Sequence, residues 1–131
     1  MRIYADASAL VKLVVSEPES AQLARSIPMD AEVVTSALSV AEVGRAVKLA
    51  ELEEDIEPDP DALLSGCTLV DVDLVVLRDA AALATQSLRT LDAIHLATAV
   101  RVSPDTMLAY DPRLARAAKA AGLHVEAPGA T

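Results

Sequence analysis

The chain has no tryptophan and no phenylalanine, and its only aromatic side chains are Tyr4 and Tyr110. Hydrophobic residues nevertheless make up 53% of it, so the core has to be filled by Ala, Val, Leu and Ile. Aliphatic helices packed on a Val-rich sheet suit that composition. The single cysteine, Cys67, excludes an internal disulfide, and no C-x-x-C pair or ligand cluster surrounds it. It reads as a small buried hydrophobe. No stretch approaches the 18 uninterrupted apolar residues of a membrane span, and the opening MRIYADASAL lacks the apolar region of a secretory leader. A soluble, cytoplasmic protein is expected. A length of 131 residues supports one hydrophobic core without disulfide or structural metal, so a single domain over residues 1–131 is expected.

Positive charge is also scarce. The formal net charge is -9, which argues against a nucleic-acid partner, because phosphate repels an acidic surface. The distribution weakens that objection. Seven acids and no base lie between Glu51 and Asp61, leaving 13 acids against 11 bases elsewhere. Such a run reads as a solvated helix end followed by a Pro-containing loop.

Along the chain, strand-like and helix-like segments alternate. RIYAD reads as a short buried strand, and SALVKLVVSE carries helical spacing until Pro18 interrupts it. PESAQLARSI predicts a short helix and EVVTS, with its β-branched residues, a strand. LSVAEVGRAVKLAEL repeats apolar residues at three- and four-residue steps, predicting a long helix. DPDALLSGC reads as a helical turn and TLVDVD as a strand. LVVLRDAAALATQ and SLRTLDAIHLATAVRV follow as helices, TMLAYD as a strand, DPRLARAAKAAGL as a helix and HVEA as a final strand. Alternation of this kind implies an α/β fold with a parallel sheet covered on both faces, whose ligands gather beyond the carboxyl ends of the strands.

Four carboxylates stand in suggestive places. Asp6 follows the first strand and Asp111 follows MLAY, so both belong at the functional edge of the sheet. Taken singly, each also reads as a helix cap, Asp111 with Pro112 at the first helical position. Glu42 and Asp92 lie inside helices with apolar or small neighbours one turn away, Leu38 and Ala46 for one, Leu88 and Leu96 for the other. A carboxylate beside a core-facing stripe needs a partner. Arg45 or Lys48 would serve Glu42, and Thr90, Arg89 or plain exposure would serve Asp92, so a structural and a functional role both stay open. Four acids together match what Mg2+ or Mn2+ requires, since these ions take oxygen ligands and keep several waters. Phosphodiester hydrolysis uses such ions directly. His95 reads as a hydrogen-bonded packing residue and His124 as the opening of a strand, neither with a catalytic role.

The segments YADASALVKLVVSEPES, TSALSVAEVGRAV, LRTLDAIHLATAV and AYDPRLARAAKAAGL together resemble the signature regions of PIN domains, specifically the VapC-type toxins of toxin–antitoxin pairs. The resemblance spans nearly the whole chain and rests on order and context: Asp after the first strand, Glu in a helix after the second, Asp before Ala-Ile-His, Asp after a late strand. It implies a three-layer α/β/α sandwich and a magnesium- or manganese-dependent endoribonuclease. Its metal site would carry over onto Asp6, Glu42, Asp92 and Asp111, with Ser8 and Ser36 positioning water or phosphate. A homodimer and a VapB-type antitoxin, whose C-terminal segment enters the groove with a basic side chain, are implied as well. Few aromatics leave only Tyr4 and Tyr110 as base-stacking platforms. Phosphate contacts are expected from Arg45, Arg89, Arg113 and Arg116. A receiver-like magnesium-binding signalling domain would need adjacent acids after the first strand and a lysine after MLAYD, which this chain lacks; an inactive PIN scaffold fits poorly with a complete acidic quartet.

Overall fold

Val, Ile and Thr crowd the short segments that become strands, and such β-branched side chains pack well on a pleated surface. In the computed structural model, which describes residues 1–53, 59–83 and 87–130, they form five strands: β1 (Arg2–Ala5), β2 (Glu32–Ser36), β3 (Thr68–Val70), β4 (Thr106–Leu108) and β5 (Val125–Glu126). Their order is β3-β2-β1-β4-β5, and every pairing is parallel. The helices are α1 (Ala7–Val14), α2 (Ser20–Ser26), α3 (Leu38–Glu53), α4 (Pro60–Ser65), α5 (Leu74–Ala82), α6 (Thr90–Val102) and α7 (Pro112–Ala120). Crossovers between parallel strands need such helices, and they cover both faces.

The period of two along β1 divides the core. Ile3 and Ala5 face one layer and cluster with Leu10, Leu23, Val43, Val47 and Leu64 from α1 to α4. Tyr4 faces the other layer, with Val34 and Met107 beside it and Leu96, Ala99, Leu114 and Ala118 from α6 and α7 above it. Central β1 is therefore buried on both sides, and Tyr4 is wholly inaccessible. That corrects its expected use as a base-stacking platform. A central parallel strand has no exposed face on which a base could lie.

Two strands end three residues short of the sequence expectation. TLVDVD stops pairing at Val70, because the Asp73 carboxylate accepts the N–H of Val76 at 2.9 Å and starts α5. TMLAYD likewise leaves the ladder at Leu108, although the Ala109 N–H still bonds to Glu126. The acidic run lies partly outside the described residues, at 54–58, as does 84–86 of the helix expected to end at Gln86. Cys67 is half-buried against the first core cluster. No helix among the described residues is long and apolar enough to cross a membrane.

Candidate active site

β1 ends at Ala5 and α1 begins at Ala7, so Asp6 is the hinge residue between strand and helix. Its Oδ1 caps α1 by accepting the Ala9 N–H at 3.0 Å and also accepts the Ser8 hydroxyl at 2.7 Å. Its own N–H donates to the Leu108 carbonyl at the end of β4. Asp6 is thus the predicted cap, held rigidly and 4% exposed. One oxygen is committed to the fold. Among the described residues nothing engages Oδ2.

Glu42 follows the same pattern. Its Oε1 accepts from His95 Nε2 at 2.6 Å. Neither Arg45 nor Lys48 pairs with it; Lys48 reaches Glu51 instead. Asp92 is the third residue of α6, where the unpaired N–H groups of the first turn favour a negative charge. Among the described residues no hydrogen bond or ion pair reaches its carboxylate, so the expected partners Thr90 and Arg89 are not used. Asp111 is the most committed of the four. Its Oδ1 caps α7 through the N–H groups of Arg113 and Leu114, and Oδ2 lies 3.7 Å from the Arg113 guanidinium.

Asp6, Glu42, Asp92 and Asp111 come from four separate elements, yet their charges act on one another. Burial pushes the Asp92 carboxyl above its ordinary value, the negative charges of Asp111 and Glu42 push it further, and His95 and Arg113 oppose them. Burial likewise raises Asp6; the hydrogen bonds from Ser8 and Ala9 oppose that, and Asp92 adds repulsion. Asp111 behaves differently. Slight burial raises it, but the capping N–H groups and Arg113 outweigh that and hold it low. Asp92 is the acid on which burial and the charges of Asp111, Glu42, His95 and Arg113 converge.

The donor set fits a hard divalent ion, being carboxylate oxygen throughout. Among the described residues no group of three or more His, Cys, Asp or Glu side chains is arranged to hold one ion by itself. Magnesium does not require that, since one or two carboxylates commonly anchor it while waters and phosphate complete the shell.

A family model for the PIN domain matches residues 3–120. The chain belongs to the PIN-domain family. Among curated relatives of this PIN domain, Ribonuclease VapC46 of Mycobacterium tuberculosis is 45% identical over 128 residues, covering 96% of this chain and 97% of the relative. Ribonuclease VapC35 of the same species is 42% identical over 133 residues, covering 97% of each. Among solved structures, VapBC2 from Rickettsia felis bound to a promoter DNA fragment superposes with a TM-score of 0.68 over 98% of this chain and 99% of that one; at 13% identity the likeness is one of fold. The three-layer α/β/α architecture is therefore that of PIN domains, and the receiver-like alternative falls.

Other expected site residues occupy various places. Ser8 links Asp6 to the loop after β4, accepting the Tyr110 N–H at 3.4 Å. Ser36 is buried and accepts the Leu38 N–H at the start of α3. Arg45, Arg89, Arg113 and Arg116 are all exposed, and of these Arg113 is the one that acts on the acids, Asp111 foremost. Tyr110 is half-buried, its hydroxyl donating to the Pro128 carbonyl and its ring covered by Lys12 at 4.7 Å. His95 is the packing residue expected, but its hydrogen-bond partners are Glu42 and Tyr4. The available signal was its position one helical turn after Asp92, which sets both on one side of α6.

Proposed function

We propose that this PIN domain is the endoribonuclease toxin of a toxin–antitoxin pair, hydrolysing RNA phosphodiesters with Mg2+ or Mn2+ held by Asp6, Glu42, Asp92 and Asp111. The observation that carries the reading is the division of labour within the carboxylates. Asp6 and Glu42 each commit one oxygen to the fold and keep the other free of partners among the described residues, and Asp92 keeps both. Structural acids would spend their oxygens on caps and ion pairs; these hold ligand atoms in reserve beyond the carboxyl ends of a parallel sheet. The ribonuclease names of relatives above 40% identity point the same way.

A bound ion would supply an activated water and neutralise charge on the scissile phosphate. The chain's own residues hold the acids in place: β1 and the Ser8 hydroxyl fix Asp6, α3 and His95 fix Glu42, and the first turn of α6 presents Asp92. Asp111, already neutralised by Arg113, contributes at the rim and brings a guanidinium that suits phosphate. Residues 1–131 act as one such domain, in the cytoplasm, as a homodimer restrained by a VapB-type antitoxin.

Cleavage of RNA should require magnesium or manganese and stop in EDTA, and Asp6→Asn or Asp92→Asn should lower turnover by orders of magnitude. Full cleavage by either variant, or in chelator, would remove the mechanism. Expression without an antitoxin should arrest growth, and Glu42→Gln should relieve the arrest while antitoxin binding persists.

A further inference from the structure

His95 is 2% exposed in its side chain, and both ring nitrogens are engaged: Nδ1 lies 2.8 Å from the Tyr4 hydroxyl and Nε2 lies 2.6 Å from Glu42 Oε1. The direction of the second bond follows from chemistry. An ionised carboxylate only accepts, so the proton between His95 and Glu42 belongs to Nε2. A neutral ring then takes the Tyr4 proton at Nδ1, and a cationic ring donates from both nitrogens. In either state Nε2–H points at Glu42.

Simple space-filling would not select this side chain. The hydrophobic clusters around it are otherwise aliphatic but for Tyr4 and Met107, and a Leu or Met at position 95 would fill the gap but would deprive the buried Tyr4 hydroxyl and Glu42 of this partner. Tyr4 and His95 are the two rings among the largest fully buried side chains, and they meet edge to face, with centroids 6.0 Å apart. Their placement joins the three elements that carry the free carboxylate oxygens. Tyr4 stands on β1 just before Asp6, His95 stands on α6 one turn after Asp92, and Glu42 projects from α3.

We propose that His95 is the positioning residue of the acidic site, oriented by Tyr4 so that its Nε2–H clamps one oxygen of Glu42 and leaves the other for the metal ion. The inference rests on the reading of Glu42 as a metal-binding residue. Hydrogen bonds behind a ligating carboxylate fix its orientation, and their loss commonly weakens metal affinity by about 10–100-fold.

Two measurements test it on the full chain. In metal-free protein at neutral pH, nitrogen-15 NMR of the imidazole should show His95 Nε2 protonated, with a slowly exchanging proton whose resonance moves in Glu42→Gln; an unprotonated Nε2 overturns the proposal without reference to any variant. Manganese titration in the absence of RNA should then show His95→Leu binding about 10–100-fold more weakly than wild type. His95→Gln, whose side-chain amide can place a donor near the former Nε2, should recover most of that loss. Wild-type manganese affinity in His95→Leu, or equal losses in both variants, would reduce His95 to packing. Asp92→Asn separates the two levels of inference. If it loses manganese while His95→Leu does not, only the role of His95 falls; if it too binds as wild type does, the carboxylate site falls and the role of His95 with it. Should His95→Leu fail to fold, the wild-type spectrum and His95→Gln still decide.

Discussion

Asp6 shows why a cap and a ligand need not be rival descriptions of one carboxylate. Its Oδ1 satisfies α1 and its Oδ2 remains, so the two roles separate by substitution. Asp6→Asn keeps an acceptor for the Ala9 N–H and should unfold at nearly the wild-type temperature while losing cleavage; Asp6→Ala should lose both, with about 1 kcal/mol of stability gone with the cap. Chemical denaturation of the pair checks this. Asp92 permits a test by sign. Its pKa is raised in the folded state by burial first and by Asp111 and Glu42 besides. An acid raised on folding contributes stability that is complete below its unfolded pKa and is lost as pH rises through its folded one. In metal-free buffer Asp92→Asn should therefore melt at or above the wild-type temperature near neutrality, and the gap should close on acidification. A destabilised Asp92→Asn at neutral pH would mark the carboxylate as a structural partner. The places of Asp6, Glu42, Asp92 and Asp111 along their elements could be read from the sequence, but element position alone left each open to a structural role, and their grouping as a site came from the resemblance. The partner of Glu42 could not be read. His95 is 53 positions away, and i,i+3 or i,i+4 reasoning searches only the same helix, where Arg45 and Lys48 stand.

Elements were legible where two signals agreed. EVVTS has both β-branched density and turn residues before it, and it forms β2 over those same residues. TLVDVD has the alternation of a strand, but Asp73 is a better cap than a strand residue, so the competing local hydrogen bond ends β3 early. Tyr4 was misplaced for a reason at the same scale: RIYAD is recognisable as a strand, but its central place between β2 and β4 depends on pairings such as Ile3 with Val33 and Ile3 with Thr106, far apart in sequence. The end of α6 offers a test of element energetics. Ser103 closes that helix in the left-handed region, at φ 48°, with its N–H bonded to Ala99 and Val100 and Pro104 following. Residues other than glycine adopt that conformation at a cost of about 1–2 kcal/mol. Ser103→Gly relieves the steric cost but loosens the unfolded chain, and should stabilise the protein by about 0.5–1 kcal/mol, measured by urea unfolding. Because Asp92 lies at the opposite end of α6 and His95 about two turns before Ser103, cleavage should not change.

For the molecule as a whole, the proposed metal site predicts that stability depends on metal. An ion at about 100 times its dissociation constant adds about 2.7 kcal/mol, which for a domain of this size raises the melting temperature by about 8–13 °C. Magnesium should produce such a rise in wild type and little of it in Asp92→Asn; equal responses would place the binding elsewhere. The strand order has another consequence, concerning synthesis. β1 lies at the centre of the sheet, yet its neighbour β4 is made long after it: the Arg2 N–H is bonded to a side chain 103 residues along, and Asp6 is anchored to Leu108. At translation rates of about 5–20 residues per second, about 5–20 seconds separate the birth of Asp6 from that of its anchor. During that interval β1 has a partner on one side only, and neither α6 nor Asp92 exists for most of it. A growing polypeptide therefore cannot bring Asp6, Glu42, Asp92 and Asp111 into their final arrangement until β4 and the residue after it that caps α7 have both been made.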